Sequence, residues 1–246
     1  MVDALRHLSV FKPAAFGSKE VHIIGCGATG SKIAMSVAKL GVENIHLWDF
    51  DKVEEHNIPN QIYTIPDINR LKVEALAEHI KIATGTDVIA HNAKVDGSQD
   101  LGTVVFLLTD SMKSRKEIWE NGLKYKMRTD LMIETRMGAD AGRIYTVNPN
   151  FPLHIEKWEA ASNYGDEEAE VSACGASTSV GPTADVIAGY AVWQMIRWAS
   201  IEQGIMVGKE VDAKGVVTEP GCIDVLENEL IISLRTTTMV MGTKFE

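Results

Sequence analysis

Cysteine is scarce in this chain and badly spaced for bridging. Only Cys26, Cys174 and Cys222 occur in 246 residues, and no two form a Cys-x-x-Cys pair. That pattern suggests neither a disulfide framework nor a cysteine-bound zinc, and reduced thiols fit a cytoplasmic setting. Positive charge is also in deficit: 24 Lys and Arg stand against 34 Asp and Glu, a formal net charge of −10. A chain this acidic is not expected to bind nucleic acid or an anionic membrane, because both call for a positive face. No apolar run approaches the ~20 residues that span a bilayer. The stretch Met1–Glu20 holds nothing apolar enough for a signal peptide. Internal repeats and low-complexity tracts are missing too. What is present is an ordinary globular composition, 45% hydrophobic and 24% charged, in a chain long enough to bury a core without staples.

Periodicity then places the elements. Short apolar runs over 20–25, 44–49 and 87–91 read as strands. A helix carrying Ile33, Val37 and Leu40 follows the first, and 69–83 reads as a helix with Leu71, Ala75, Leu76, Ile80 and Ala83 on one face. The run TVVFLLTD at 103–110 is apolar throughout and ends in an acid, as a central parallel strand does. A helix from 112 to about 126 follows, then two strands, LMIETRMG and GRIYTVNP. This alternation predicts an α/β fold, a Rossmann-like doubly wound and mainly parallel sheet. Residues 150–180 have no sustained period and read as a long crossing loop, with Glu156, Glu159, Asp166, Glu167, Glu168 and Glu170 facing only Lys157. Its acidic part, 156–170, is a candidate flap over a partner's tail. Pro182 sits where helices begin, and 182–202 reads as a long buried helix. The segment 205–246 reads as an antiparallel extension of one domain covering 1–246.

The chemistry concentrates early. Gly25-x-Gly27-x-x-Gly30 follows a strand and opens a helix, so its backbone N–H groups can approach phosphate oxygens at a helix N-terminus. Asp49 ends the second strand, where an acid can accept hydrogen bonds from ribose hydroxyls. The turn alone does not choose among NAD, FAD and ATP. The residues beyond it do: Asp49, Asp51, Val53, Asn57, Gln61 and Lys72 are spaced D-x-D-x-V-x3-N-x3-Q-x10-K. A triphosphate has use for an amide and an ammonium there, and a nicotinamide does not.

Taken together these motifs resemble the ubiquitin-activating-enzyme-like superfamily in its small ThiF/HesA/MoeB form. The likeness rests on Gly25 to Gly30, Asp49-Phe-Asp51-Lys-Val53, the segment His56 to Gln61, and Lys72-Val73-Glu74. It continues through Thr109-Asp110-Ser111 with Arg115, the strands from Ile133 to Val147, and the helix from Gly181-Pro182 to Gly189. The resemblance implies adenylation of the C-terminal carboxylate of a small ubiquitin-like or sulfur-carrier protein by Mg-ATP, in a homodimer. It implies that Gly25, Gly27, Ala28 and Gly30 line the nucleotide and that Asp49 holds the ribose. Asn57 and Lys72 meet phosphates, Asp51, Gln61 and Ser111 belong to the same site, and Asp110 binds Mg2+ through carboxylate oxygen. Such a carboxylate is already ionised at neutral pH, so no general base is required.

Three departures from the family pattern matter. Its arginine before Gln61 is Asn60 here, preceded by Pro59, and a neutral amide does not replace a guanidinium. Arg6, Arg70 and Arg115 are candidate substitutes. The Cys-x-x-Cys pairs that hold zinc in relatives have no counterpart, so no zinc is expected. A nucleophilic cysteine is matched only by Cys174, ahead of the long helix, where a helix N-terminus would favour its thiolate, and a buried packing thiol is the bland alternative. Cys26 and Cys222 read as packing residues. Two other functions stay open: an inactive member that binds nucleotide or partner without chemistry, and an NAD(P)-dependent oxidoreductase.

Overall fold

Val21–Ile24 (β1) is buried along its whole length, so it must be covered on both faces. In the computed structural model it is the middle of the parallel strands, with β2 (Ile45–Trp48) on one side and β4 (Val104–Leu107) on the other, both parallel to it. Residues 3–164, 179–203, 210–211, 217–218, 226–235 and 238–246 are described. The short helix α1 (Pro13–Phe16) precedes β1, and α2 (Ala28–Lys39) links β1 to β2. Then α3 (Lys72–Thr84) leads to β3 (Ile89–His91), which pairs parallel with β2. After β4 come α4 (Met112–Ile118), a π-turn at Trp119–Leu123, β5 (Leu131–Met137) and β6 (Ala141–Val147). Helices α5 (Pro152–Ala161) and α6 (Gly181–Glu202) follow. The strand pieces β7 (Glu210–Val211) and β8 (Val217–Thr218) pair with each other, and β9 (Glu229–Ser233) and β10 (Met239–Thr243) close the chain.

The eight-stranded order is β10-β9-β6-β5-β4-β1-β2-β3. Strands β1 to β5 run parallel, while β6, β9 and β10 are added antiparallel, so the doubly wound sheet and its antiparallel extension are both present. The chain winds outward from β1 to β3, returns beside β1 as β4, and winds the other way. That reversal opens a crevice at the carboxyl ends of β1 and β4.

Two cores flank the sheet. Ile23, Ile45, Val104, Phe106 and Ile133 pack under the helices that carry Ile33, Leu76, Ile187 and Met195. Ile24, Val105, Leu107 and Met132 pack on the other face with Ile118, Trp119, Ile155 and Trp158. The latter pair of residues belongs to α5, which occupies 152–161 where the sequence reads as loop. Pro152 opens that helix, and His154, Ile155 and Trp158 bury one side of it, so Glu156 and Glu159 of the supposed acidic flap are helical. Positions 165–178, including Asp166, Glu167, Glu168, Glu170 and Cys174, and position Cys222 lie outside the described residues.

Candidate functional site

Each glycine of the β1–α2 turn has its own reason. Gly25 has φ 97°, and a Cβ on it would lie 2.8 Å from the Leu108 carbonyl oxygen of the β4 end. A Cβ on Gly30 would lie 1.9 Å from the Gly25 carbonyl oxygen, so α2 can seat on the turn only with glycine there. Gly27 is different: nothing lies within 4 Å of a Cβ built on it. It stands at the N-cap of α2, and its open side is a cradle that a ligand can approach to backbone distance. The first turn of α2 contains no acid, which leaves the positive end of the helix dipole for an anion.

Asp49 joins this turn to the next strand. Its Oδ2 accepts the Cys26 backbone N–H at 2.7 Å and its Oδ1 accepts that of Asp51 at 2.9 Å. Burial raises its pKa, with the nearby Lys72 charge and those two hydrogen bonds opposing. Lys72 begins α3 and is 7% exposed, with its Nζ 2.9 Å from Asp51 Oδ2. Its charge acts on both Asp49 and Cys26, so the structure brings the glycine turn, Asp49, Asp51 and Lys72 together. The Cys26 thiol is fully buried, and burial, then Asp49, push it well above its ordinary pKa. It packs, as expected.

The segment 57–63 lies along the same turn. The Tyr63 hydroxyl donates to the Cys26 carbonyl at 2.8 Å, and the Ile62 N–H donates to Ser31 Oγ at 3.3 Å. Asn57 is buried, and its Oδ1 accepts the Glu54 N–H at 2.9 Å; part of its work is to cap the short 3-10 turn Glu55–Asn57. The side-chain oxygens of Asn60 and Gln61, and the Thr109 hydroxyl beyond β4, are buried without a hydrogen-bond partner among the described residues. Buried acceptors without donors are costly; a water, or a hydroxyl or amino group of a ligand, would satisfy these amide oxygens, and a phosphate oxygen would not.

Asp110 follows β4 and is exposed at the crevice, with Ser111 capping α4 by accepting the Ser114 N–H at 3.3 Å. A network absent from the sequence reading holds this strand end. Arg115 Nε donates to the Thr109 carbonyl at 2.8 Å, and its other nitrogens reach the same carbonyl and Glu134. Glu134 is fully buried and accepts from Arg136 at 2.7 and 3.0 Å and from the Trp158 indole at 2.6 Å. Burial alone would raise its pKa, but the two guanidiniums and the indole outweigh that and lower it. Arg136 also donates to the Ala161 carbonyl and Ser162 Oγ. The sequence signal was Glu134 and Arg136 two apart on one strand, hence on one face.

Of the three arginines considered as substitutes at Asn60, two are engaged elsewhere. Arg115 is committed as above, Arg70 pairs with Asp67 at 3.0 Å and Glu78 at 2.5 Å, and Arg6 is exposed ahead of α1. Elsewhere, Glu20, His22 and His46 bring one ligand-type atom each within 4.8 Å. The Trp48 indole N–H donates to His22 Nδ1 at 3.1 Å, and indole is a donor only. Neutral His22 therefore keeps its proton on Nε2, facing Glu20 at 3.5 Å, and that nitrogen offers no lone pair to a metal. A cavity of about 490 Å³ between α1 and the end of α6, lined by Lys19, Glu202 and Gln203, lies at the opposite end of the sheet from the crevice.

Comparison with known proteins bears on the whole chain. The ThiF family model matches residues 13–218. The chain is 31% identical over 147 residues to ubiquitin-like modifier-activating enzyme 5 of Drosophila mojavensis, covering 56% of this chain and 34% of that protein. It is 24% identical over 102 residues to the NEDD8-activating enzyme E1 catalytic subunit of Arabidopsis thaliana, covering 39% and 22%. It is 28% identical over 80 residues to adenylyltransferase and sulfurtransferase MOCS3 of Caenorhabditis briggsae, covering 32% and 20%. The aligned part is thus between 20% and 34% of the length of these relatives. Among solved structures, Escherichia coli MccB with ATP superposes with a TM-score of 0.65 at 13% identity, over 97% of this chain and 67% of that one. PaaA does so with a TM-score of 0.65 at 17% identity, over 94% and 74%. At these identities the two structures show a shared fold.

Proposed function

The chain belongs to the ThiF family, and on that footing we propose that it uses Mg-ATP to adenylate the C-terminal carboxylate of a small ubiquitin-like or sulfur-carrier protein. The observation that carries the proposal is Lys72, a nearly buried ammonium held beside Asp51 and Asp49 at the mouth of an acid-free helix N-terminus. A triphosphate carries more negative charge for that ammonium to offset than the diphosphate of a nicotinamide dinucleotide does. Curated relatives include an adenylyltransferase and modifier-activating enzymes, which supports the same class of reaction.

In this reading the α2 turn binds phosphate through backbone N–H groups, with Gly27 as the point of closest approach. Asp49 keeps lone pairs for ribose hydroxyls beyond its two backbone bonds. Asp110 fits Mg2+, which takes one or two protein carboxylates and fills its other positions with water and phosphate oxygens. Bound there, the ion would offset phosphate charge. An oxygen of the partner's carboxylate attacks the α-phosphorus, the bond to the bridging oxygen of pyrophosphate breaks, and pyrophosphate departs with that electron pair. Lys72 offsets negative charge on the phosphates, and the residues contribute mainly position and field.

The test is ATP–pyrophosphate exchange with the purified chain and a carrier protein ending in Gly-Gly. Exchange is expected in the wild type and lost in Lys72→Ala and Asp110→Ala. Exchange that survives both substitutions refutes the site assignment. Asn60 favours one second reading, a member that binds nucleotide without chemistry. That reading expects Mg-ATP binding with no exchange.

A further inference from the structure

Asn60 leaves the phosphate site one cation short of the family pattern, and the geometry points to Lys32 as the residue that supplies it. This inference rests on the Mg-ATP reading above and names a phosphate-binding residue within that site.

Lys32 follows the glycine motif directly, in Gly30-Ser31-Lys32. It lies four residues beyond Ala28, on the same face of α2, and a helical side chain leans back toward the helix N-terminus. Its stem is largely buried, with 17% of the side chain exposed. The ammonium donates to the Gly181 carbonyl at 3.3 Å and to Asp185 Oδ1 at 2.5 Å. Gly181 in turn presses on the deviant segment: a Cβ on it would lie 2.8 Å from the Pro59 carbonyl oxygen and 3.5 Å from Asn60 Cα. Lys32, the start of α6 and residue 60 therefore meet.

The electrostatics of that meeting are unbalanced. Gly181 is the first residue of α6, and the first turns of both α2 and α6 contain no acid. A cation beside a helix N-terminus is unfavourable. Asp185, 63% exposed, is its one carboxylate partner among the described residues. Two positive helix ends and an ammonium therefore meet beside residue 60. An anion completes this arrangement, and Lys32 reaches it by exchanging Asp185 for a phosphate oxygen.

Calorimetric titration with Mg-ATP and with adenosine tests the assignment. Lys32→Met is expected to weaken Mg-ATP about ten- to hundredfold and to leave adenosine unchanged, while Lys32→Arg retains binding. Adding Asn60→Arg to Lys32→Met is expected to restore most of the loss, which a merely structural lysine would not allow. If the wild type binds Mg-ATP and Lys32→Met binds it equally well, this inference fails alone. A loss that neither Lys32→Arg nor Asn60→Arg repairs also overturns it. If the wild type binds no Mg-ATP, the site reading fails and this inference with it.

Discussion

Replacing Glu134 by Gln removes one negative charge and almost no volume from the network at the end of β5. The carboxylate is fully buried and accepts from Arg115, Arg136 and the Trp158 indole. Glutamine keeps one acceptor oxygen and turns an N–H₂ toward a guanidinium, so two cations face each other in the interior with no counter-charge between them. Breaking a buried ion pair from one side costs about 3–5 kcal/mol, against a domain stability of about 5–15 kcal/mol. With a urea m-value at the upper end of about 1–3 kcal/mol/M for a chain of this size, the midpoint should fall by at least about 1 M. Urea unfolding followed by tryptophan fluorescence reads this directly, since Trp158 belongs to the network and Trp119 packs 4.4 Å from it, ring to ring. Removing Arg136 as well should cost less than the sum of the two single changes. The pH dependence supplies a second reading. Because the folded pKa of Glu134 is lowered, its contribution is present above the unfolded value of about 4.5 and lost as pH falls through the folded one. The glutamine variant should lack that acid-induced loss. A midpoint shift below about 0.3 M at neutral pH would refute the reasoning, because the network would then carry too little energy to hold Thr109 and Asp110 in place.

The glycines should separate stability from binding. Gly27→Ala meets nothing within 4 Å, so its stability should stay within about 0.5 kcal/mol of wild type while Mg-ATP binding weakens at least about tenfold. Gly30→Ala drives a methyl into the Gly25 carbonyl and should unfold the domain. Comparable stability loss in both variants would contradict the distinction between open and packed glycines. Two imidazoles should set a second acid transition. Burial holds His22 and His154 at pKa values of about 4, with His46 adding to the effect at His22. The unfolded chain therefore takes up protons below about 6.5 that the folded chain refuses, and stability should decline from pH 6.5 toward 4. A shallower decline in His154→Gln, by chemical denaturation at stepped pH, is the expected signature; an unchanged slope would rule His154 out.

Much of this architecture was legible because the parallel strands are apolar on both faces. Val104–Leu107 shows as an unbroken run, and its trailing Asp110 falls where the sheet opens. The relation of Asp51 to Lys72 was visible as spacing, though nothing in spacing specifies the 2.9 Å ion pair. Helix α5 was hidden because its buried face uses His154 and Trp158 beside Ile155, interleaved with Glu156 and Glu159, and this blurs the apolar period. Asn57 carries a cap that its place in a motif does not announce. Lys32 could not be assigned from sequence, since its partners lie 149 and 153 residues away, and the pairing of Arg136 with Glu134 shows as spacing while its bond to the Ala161 carbonyl, 25 residues on, does not. Those longer-range partners are recognisable only once α6 and α5 have docked.

Equilibrium titration of the wild-type chain with Mg-ATP and with NAD, repeated on Lys72→Ala and Asp110→Ala, addresses the nucleotide site directly. Mg-ATP should bind the wild type, bind Lys72→Ala at least about tenfold more weakly, and lose its magnesium dependence in Asp110→Ala, while NAD shows no saturable heat. Saturable NAD binding with none for Mg-ATP would contradict an activating-enzyme nucleotide site and return the glycine turn to a dinucleotide.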